Sequence, residues 1–190
     1  DFRKDTTGKK FHNPTFRSCT KYIAHVSKEV FECSMEDLKE LIEWADIIDG
    51  AQFKDARTAV ELKEPALQMM QVIEGVRDSE LIGRIIHKLQ THSLAEVAAE
   101  SEVRAVFDEF YETHLNSIEI LRETMICKGG VVEFDVSGHG IEGHNKFIPY
   151  YLFPESIYTV GISLGPTRSK VSVGTNPWTD VVKRHNLAKL

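Results

Sequence analysis

The dipeptide Gly129-Gly130 divides this chain into two textures, and any fold has to accommodate both. Ahead of it, apolar residues recur at spacings of three and four, the period of amphipathic helices. Behind it come VVEFDV, SIYTVGISLG and SKVSVGTN, short β-rich runs separated by Gly, Pro and Asn. The pattern predicts an α/β chain: a helical part, a linker helix, and a small mixed α/β second lobe.

The helical part opens with a polar loop over residues 1–15. Phe16, Cys19, Ile23 and Val26 then predict a helix over 15–26. Ser34 followed by Asp37 reads as a capping box for a helix whose face is Leu38, Leu41, Ile42, Ala45 and Ile48, with Gly50 at its C-terminal cap. Pro65 suits the first turn of a helix running through Met70 and Ile73 to Gly75. Asp78 and Ser79 precede another, with Leu81, Ile82, Ile85, Ile86 and Leu89 on its buried side. Ser93 and Glu96 form a second capping box. A long helix is expected from Leu94 or Ser101 to Cys127, striped by Val103, Val106, Phe107, Phe110, His114, Ile118, Leu121 and Met125. Beyond the glycines, SGHGIEGHNK is a glycine-rich loop, and FIPYYLF is an apolar run interrupted by Pro149. Two strands meet at a turn through Gly165-Pro166. Asn176-Pro177 ends the second, and Thr179 or Asp180 caps a final helix. The expected divisions are 1–97, a linker helix over 98–128, and 129–190.

With 190 residues, 42% hydrophobic and 27% charged, the chain has the profile of a folded domain and not of a disordered one. The formal charge of −6 argues against gripping nucleic acid by bulk charge. No apolar run approaches the length of a membrane span. Cys19, Cys33 and Cys127 match no zinc spacing and are odd in number, so reduced thiols in a cytoplasmic protein are expected. The opening DFRKDTTGKK is not a signal peptide. Both ends read as cut from something longer.

Four places offer chemistry. Asp46 and Asp49 project from one side at the end of an apolar helix face, far from the end of the dipole that favours carboxylates. A hard divalent cation would justify them, and so would simple solvation. His139 and His144 lie in the glycine-rich loop, where a metal site, a phosphate cradle or a solvated surface loop are all open readings. Thr175 and Asn176 stand at a strand end, able to meet a phosphate or sugar or to serve as turn chemistry. Arg17 and Ser18 open the first helix, where an anion or an ordinary cap is equally suited. Lys9, Lys10, Arg17 and Lys21 form a modest basic cluster. His87 and His114 fall on or near apolar stripes and read as core or edge histidines. GxGxxG, P-loop, GxSxG, HExxH and paired CxxC motifs are all missing.

YTVGISLGPTRSKVSVGTNPW followed by VVKRHNLAKL resembles the C-terminal lobe of DHH-family phosphoesterases. WADIIDGAQF is similar to that family's fourth metal motif, and FHNPTFRSCTKYIAHV to the stretch after its Asp-His-His motif. The resemblance implies metal-assisted hydrolysis of phosphodiester or phosphoanhydride bonds, in a nucleotide, a dinucleotide, short single-stranded nucleic acid or polyphosphate. It implies two manganese or magnesium ions, with Asp46 as a metal ligand and Asp49 the alternative one turn on. Thr175 and Asn176 would then face substrate, with Arg17 and Ser18 at the helix start; His139 joins them on the strength of its loop alone. The sequence departs from the family in lacking the Asp-rich, Asp-His-His and GGGH motifs, and it has Gly174 where many relatives carry an arginine. The missing motifs are expected before Asp1 and after Leu190, so this stretch alone is expected to be inactive. The competing readings are a non-catalytic nucleotide- or protein-binding module of the same shape, and an unrelated helical domain with a β-hairpin appendage. The apolar face of the linker helix also offers a surface for a homodimer.

Overall fold

The structure, a computed structural model, describes residues 11–141, 143–165, 168–182 and 185–187. Among these residues the chain is mixed α/β, helices first and a four-stranded sheet after them. It forms two compact units that interleave in sequence. One takes the residues up to Phe53 together with Arg77–Ala99, and the other takes Lys54–Val76 together with Glu100 onward.

In the first unit, α1 is Cys19–Phe31. It starts later than the apolar stripe predicts, because Ser18 is extended and its hydroxyl accepts the Lys21 amide at 3.1 Å, fixing the first turn there. The stripe is also shallow, with Val26 buried but Ile23 60% exposed. The expected Ser34–Asp37 capping box is replaced by a 3-10 turn, Glu36–Leu38, leading into α2, Lys39–Asp49. α1 packs on α2. Gly50 follows α2 as expected, but the left-handed residue is Ala51, at φ 49°. Asp78 caps α5, Ser79–Lys88, which buries Leu81 and Ile85. The capping box of Ser93 and Glu96 forms and opens α6, Leu94–Ala98.

The second unit is built around α7, Ser101–Thr124. Two short elements precede it in the chain: α3, Ala56–Glu61, capped by Asp55, and α4, Pro65–Gly75. α4, α8 (Ile148–Leu152) and the sheet all pack against α7. The long helix does not reach Cys127: Met125 is extended, and Ile126–Lys128 is strand β1. Gly129 and Gly130, at φ 58° and 80°, are the two-residue hairpin turn into β2, Val131–Asp135. That turn needs positive φ at both central positions, which is why a glycine pair stands there.

The sheet order is β1-β2-β3-β4, with β3 Tyr158–Leu164 and β4 Ser169–Thr175. β2 and β3 are parallel and joined across α8, and the other two pairings are antiparallel. Val132 and Phe134 face inward, and Phe134 pairs with Gly161. A Cβ at Gly161 would lie 2.1 Å from the Phe134 ring, so the ring occupies the space a side chain would take. The opposite face carries Ile162, Leu164, Val171 and Val173, all exposed, beside Glu133 and Asp135 of β2. The Gly165 amide donates to the Arg168 carbonyl at 2.8 Å, closing the β3–β4 connection where a turn was expected, while Pro166 lies outside the described residues.

The expected final helix is not seen at 179–182, although the Val181 amide meets the Thr179 hydroxyl at 3.3 Å; residues 183–184 and 188–190 lie outside the described residues. No helix among the described residues is long and apolar enough to cross a membrane.

His114, as its stripe suggested, is buried in α7. Its Nε2–H donates to the Val60 carbonyl at 2.7 Å, a carbonyl being able only to accept. Burial pushes its imidazole below the ordinary value of 6.5, the Val60 bond opposing this. The unfolded chain therefore takes a proton that the folded chain refuses. Stability is full above about pH 7 and falls as pH drops through 6.5 toward the lower folded value.

Two outcomes follow from this packing. Gly161→Val should cost about 1–3 kcal/mol, read as a lower urea midpoint with unchanged slope. An unchanged midpoint would mean that Phe134 does not fill the site. Between pH 7.5 and 5.5 the urea midpoint should fall, and His114→Gln should flatten part of that fall. An equal fall in the variant would remove His114 as its source.

Candidate functional site

Asp46 lies one turn before the end of α2, and its carboxylate meets the start of α1. Lys21 Nζ donates to Oδ2 at 2.6 Å, across twenty-five residues of sequence. The carboxylate is only 14% exposed, while the lysine is half exposed. The Lys21 bond holds the Asp46 carboxyl below the usual carboxylate range against the opposing effect of burial, and Ser18 beside it adds to the same effect. Oδ1 is nevertheless buried without a well-aligned hydrogen bond. The arrangement keeps one ionised carboxylate, an acceptor with spare lone pairs, a primary ammonium and the first turn of a helix in one place.

Two of the sequence candidates, Ser18 and Asp46, are thus brought together. Ser18 is buried at 3% exposure and serves as the N-cap of α1, so its hydroxyl is already engaged by the Lys21 amide. Arg17 and Asp49 are exposed. Asp49 ends α2 on the same side as Asp46 by its spacing of three. Lys21 entered the sequence reading only as part of a basic cluster. Its ion pair with Asp46 joins two helices, and no local spacing reports such a contact.

The remaining candidates belong to the second unit. His139 is exposed in its loop, near the charge of Asp135. The loop's other histidine is the enclosed one: His144 meets the Phe134 ring edge-on, has a buried Nδ1 without a partner, and is pushed down by burial and then by Lys170. Glu142 lies outside the described residues. Thr175 is half-buried at the end of β4.

Asn176 takes the turn-chemistry reading of the sequence. It is 1% exposed, and its side-chain amide donates to the carbonyls of Pro154 at 3.0 Å and Ser156 at 2.8 Å. Its Oδ1 accepts the Trp178 amide at 3.0 Å, so both amide hydrogens and one oxygen lone pair are engaged within the chain. A Cβ at Gly174 would stand 2.6 Å from the Tyr150 hydroxyl, so no arginine fits there without displacing that ring. Tyr150, its phenol pushed up by burial, and Thr159, whose hydroxyl oxygen is buried without a partner, are the polar groups beneath this strand end. The apolar run FIPYYLF and the inward register of β3 concealed them.

The donors around Asp46 do not complete a metal centre. Asp46 Oδ1 is an orphaned acceptor of the right kind, but among the described residues no group of three or more His, Cys, Asp or Glu side chains is placed to hold a metal ion. One carboxylate already paired with a lysine does not fit a two-metal site.

The sequence matches no family model and no curated protein sequence. Its fold is similar to that of a pGpG-specific phosphodiesterase, PggH, from Vibrio cholerae, with a TM-score of 0.69 and 18% identity over 87% of this chain. The chain spans 61% of the length of that structure.

Because the Asp46 pKa is depressed, the Lys21 pair contributes stability above the ordinary value of 3.8 and loses it as pH falls through the lower folded value. Lys21→Met should cost about 0.5–1 kcal/mol at neutral pH and lessen the acid dependence of unfolding followed by helical circular dichroism below about pH 4. Superimposable acid titrations would show that the pair contributes nothing.

Proposed function

We propose that this chain is part of a DHH-type phosphoesterase that hydrolyses phosphodiester or phosphoanhydride bonds of a dinucleotide, short nucleic acid or polyphosphate. The observation that supports this most is the fold likeness to a phosphodiesterase structure. The conjunction of Asp46, Lys21 and the start of α1 supports it locally. In such a hydrolysis a water oxygen joins phosphorus, one ester oxygen leaves with a proton, and a phosphate monoester and an alcohol result. The reading assigns Lys21, Arg17 and the first amides of α1 to the negative phosphoryl oxygens. Asp46 would fix the position of Lys21 and present its second oxygen toward a cation or water.

The manganese or magnesium implied by the resemblance would need ligands beyond Asp46. The 190 residues by themselves, mixed with Mn2+ and a dinucleotide such as pGpG, should therefore release no mononucleotide by chromatography. Chelator-sensitive turnover by this stretch would refute the assignment of an incomplete site. In the whole protein, Asp46→Asn should lower hydrolysis by at least about a hundredfold while the chain stays folded, its melting temperature falling by no more than that of Lys21→Met. Wild-type turnover would remove Asp46 from the site.

The second reading is a non-catalytic nucleotide- or protein-binding module of the same fold. It is favoured by the neutralisation of Asp46 by Lys21. Absence of hydrolysis by the whole protein with Mn2+ or Mg2+ on all three substrate classes would select it.

A further inference from the structure

The second unit contains a cavity of about 280 Å³ that the site around Asp46 does not use. Val60 and Glu61 of α3 form one wall, with Tyr111, Leu115 and Ile118 of α7 and Tyr151 of α8 opposite. Lys63 also lines it and is about three-quarters exposed, which puts its ammonium at the solvent side. The lining thus combines aromatic and aliphatic side chains with the Glu61 carboxylate and the Lys63 ammonium.

Glu61 organises that rim. Its Oε1 is met by Arg57 Nε at 3.2 Å and, more distantly, by the Tyr151 hydroxyl at 3.4 Å. Its Oε2 lies 2.5 Å from Lys63 Nζ. One carboxylate gathers two cations, so Arg57, Lys63 and Glu61 together carry a net charge of 1 + 1 − 1 = +1. Both cations are about three-quarters exposed, which leaves their other N–H groups open to a ligand. An apolar slot with tyrosines and a cationic rim suits a molecule that is aromatic at one end and anionic at the other.

We propose that this cavity binds a nucleoside monophosphate, the base against Tyr111, Tyr151 and Leu115 and the phosphate on Lys63. A volume of about 280 Å³ is of the order of one base with part of its sugar. The origin of the ligand rests on the phosphodiesterase reading, since cleaving a dinucleotide releases a phosphate monoester. The binding chemistry does not rest on it.

The test is calorimetric titration of the 190-residue chain with guanosine monophosphate and adenosine monophosphate, in chelator so that nothing is hydrolysed. Guanosine and inorganic phosphate serve as separate probes. The monophosphates should bind at least tenfold tighter than either fragment, and more weakly as salt is raised. Lys63→Glu should weaken binding at least tenfold. Leu115→Trp should narrow the slot and weaken binding at least tenfold, and because Leu115 is 38% exposed the change need not unfold the helix. Circular dichroism and the urea midpoint check that each variant folds, and the lysine variant stands if the tryptophan one does not. Equal binding of free phosphate would overturn the proposal in favour of a cationic surface only. Equal binding of guanosine, no binding at all, or wild-type affinity in a folded Leu115→Trp would overturn it as well. Failure of the phosphodiesterase reading shows separately, as absent hydrolysis by the whole protein, and leaves this isotherm unchanged.

Discussion

A helix of six residues cannot satisfy its own last carbonyls, and α3 is such a helix. Its end is held by side chains that arrive from far away in sequence. His114 of α7 donates to the Val60 carbonyl, and Asn145, just ahead of α8, donates to the Ala59 carbonyl at 2.8 Å. Between them the chain turns through Leu62 at φ 51°, a conformation that costs a residue with a Cβ about 1–2 kcal/mol. The Leu62 side chain is only 1% exposed, and its burial offsets that strain. Glu61 lies between the two capped carbonyls and this turn, so its carboxylate is set by contacts that α3 does not make for itself. The position of the Glu61 carboxylate thus depends on His114, a histidine of another helix.

The other charged centre is arranged differently. Asp46 and Lys21 lie on two helices that pack directly on each other, and the N-cap of α1 places the lysine on the carboxylate. Here the pair is one bond at the solvent edge, and only the carboxylate is largely enclosed. An exposed ammonium on an enclosed carboxylate is a replaceable partner. The charge of Asp46 is fixed, while the identity of the cation beside it is the least constrained part of the site.

What could be read from the chain beforehand follows the range of the interactions. Pro65, Asp78 and the Ser93–Glu96 box act within a few residues of themselves, and each marks a helix start that the structure reproduces. The end of α7 was misplaced because Met125, Ile126 and Cys127 continue an apolar texture. The two glycines that look like a helix stop are in fact the turn of a hairpin. Asn176 was assigned to a ligand because its position suited one. Its role is set by the carbonyls of Pro154 and Ser156, about twenty residues upstream, and no motif announces those. Lys21 and Asp46 were both noticed, but in separate contexts, since spacing along a helix carries no information about a neighbouring helix.

The interleaving of the two units has a consequence for how the chain acquires its structure as it is synthesised. The first unit has all its residues once Ala99 has been made. By then α4 is also complete, with Leu67, Met69 and Val72 destined for burial, but the helix that covers it begins only at Ser101. The stretch Lys54–Val76 must therefore wait, tethered at both ends to a unit it does not belong to, until α7 has emerged. Its two short connections hold it near the ribosome-proximal chain and restrict where it can wander. That restriction lowers the entropy lost when α7 closes over it, and it makes cleavage of either connection more damaging than the exposed position of a loop would suggest.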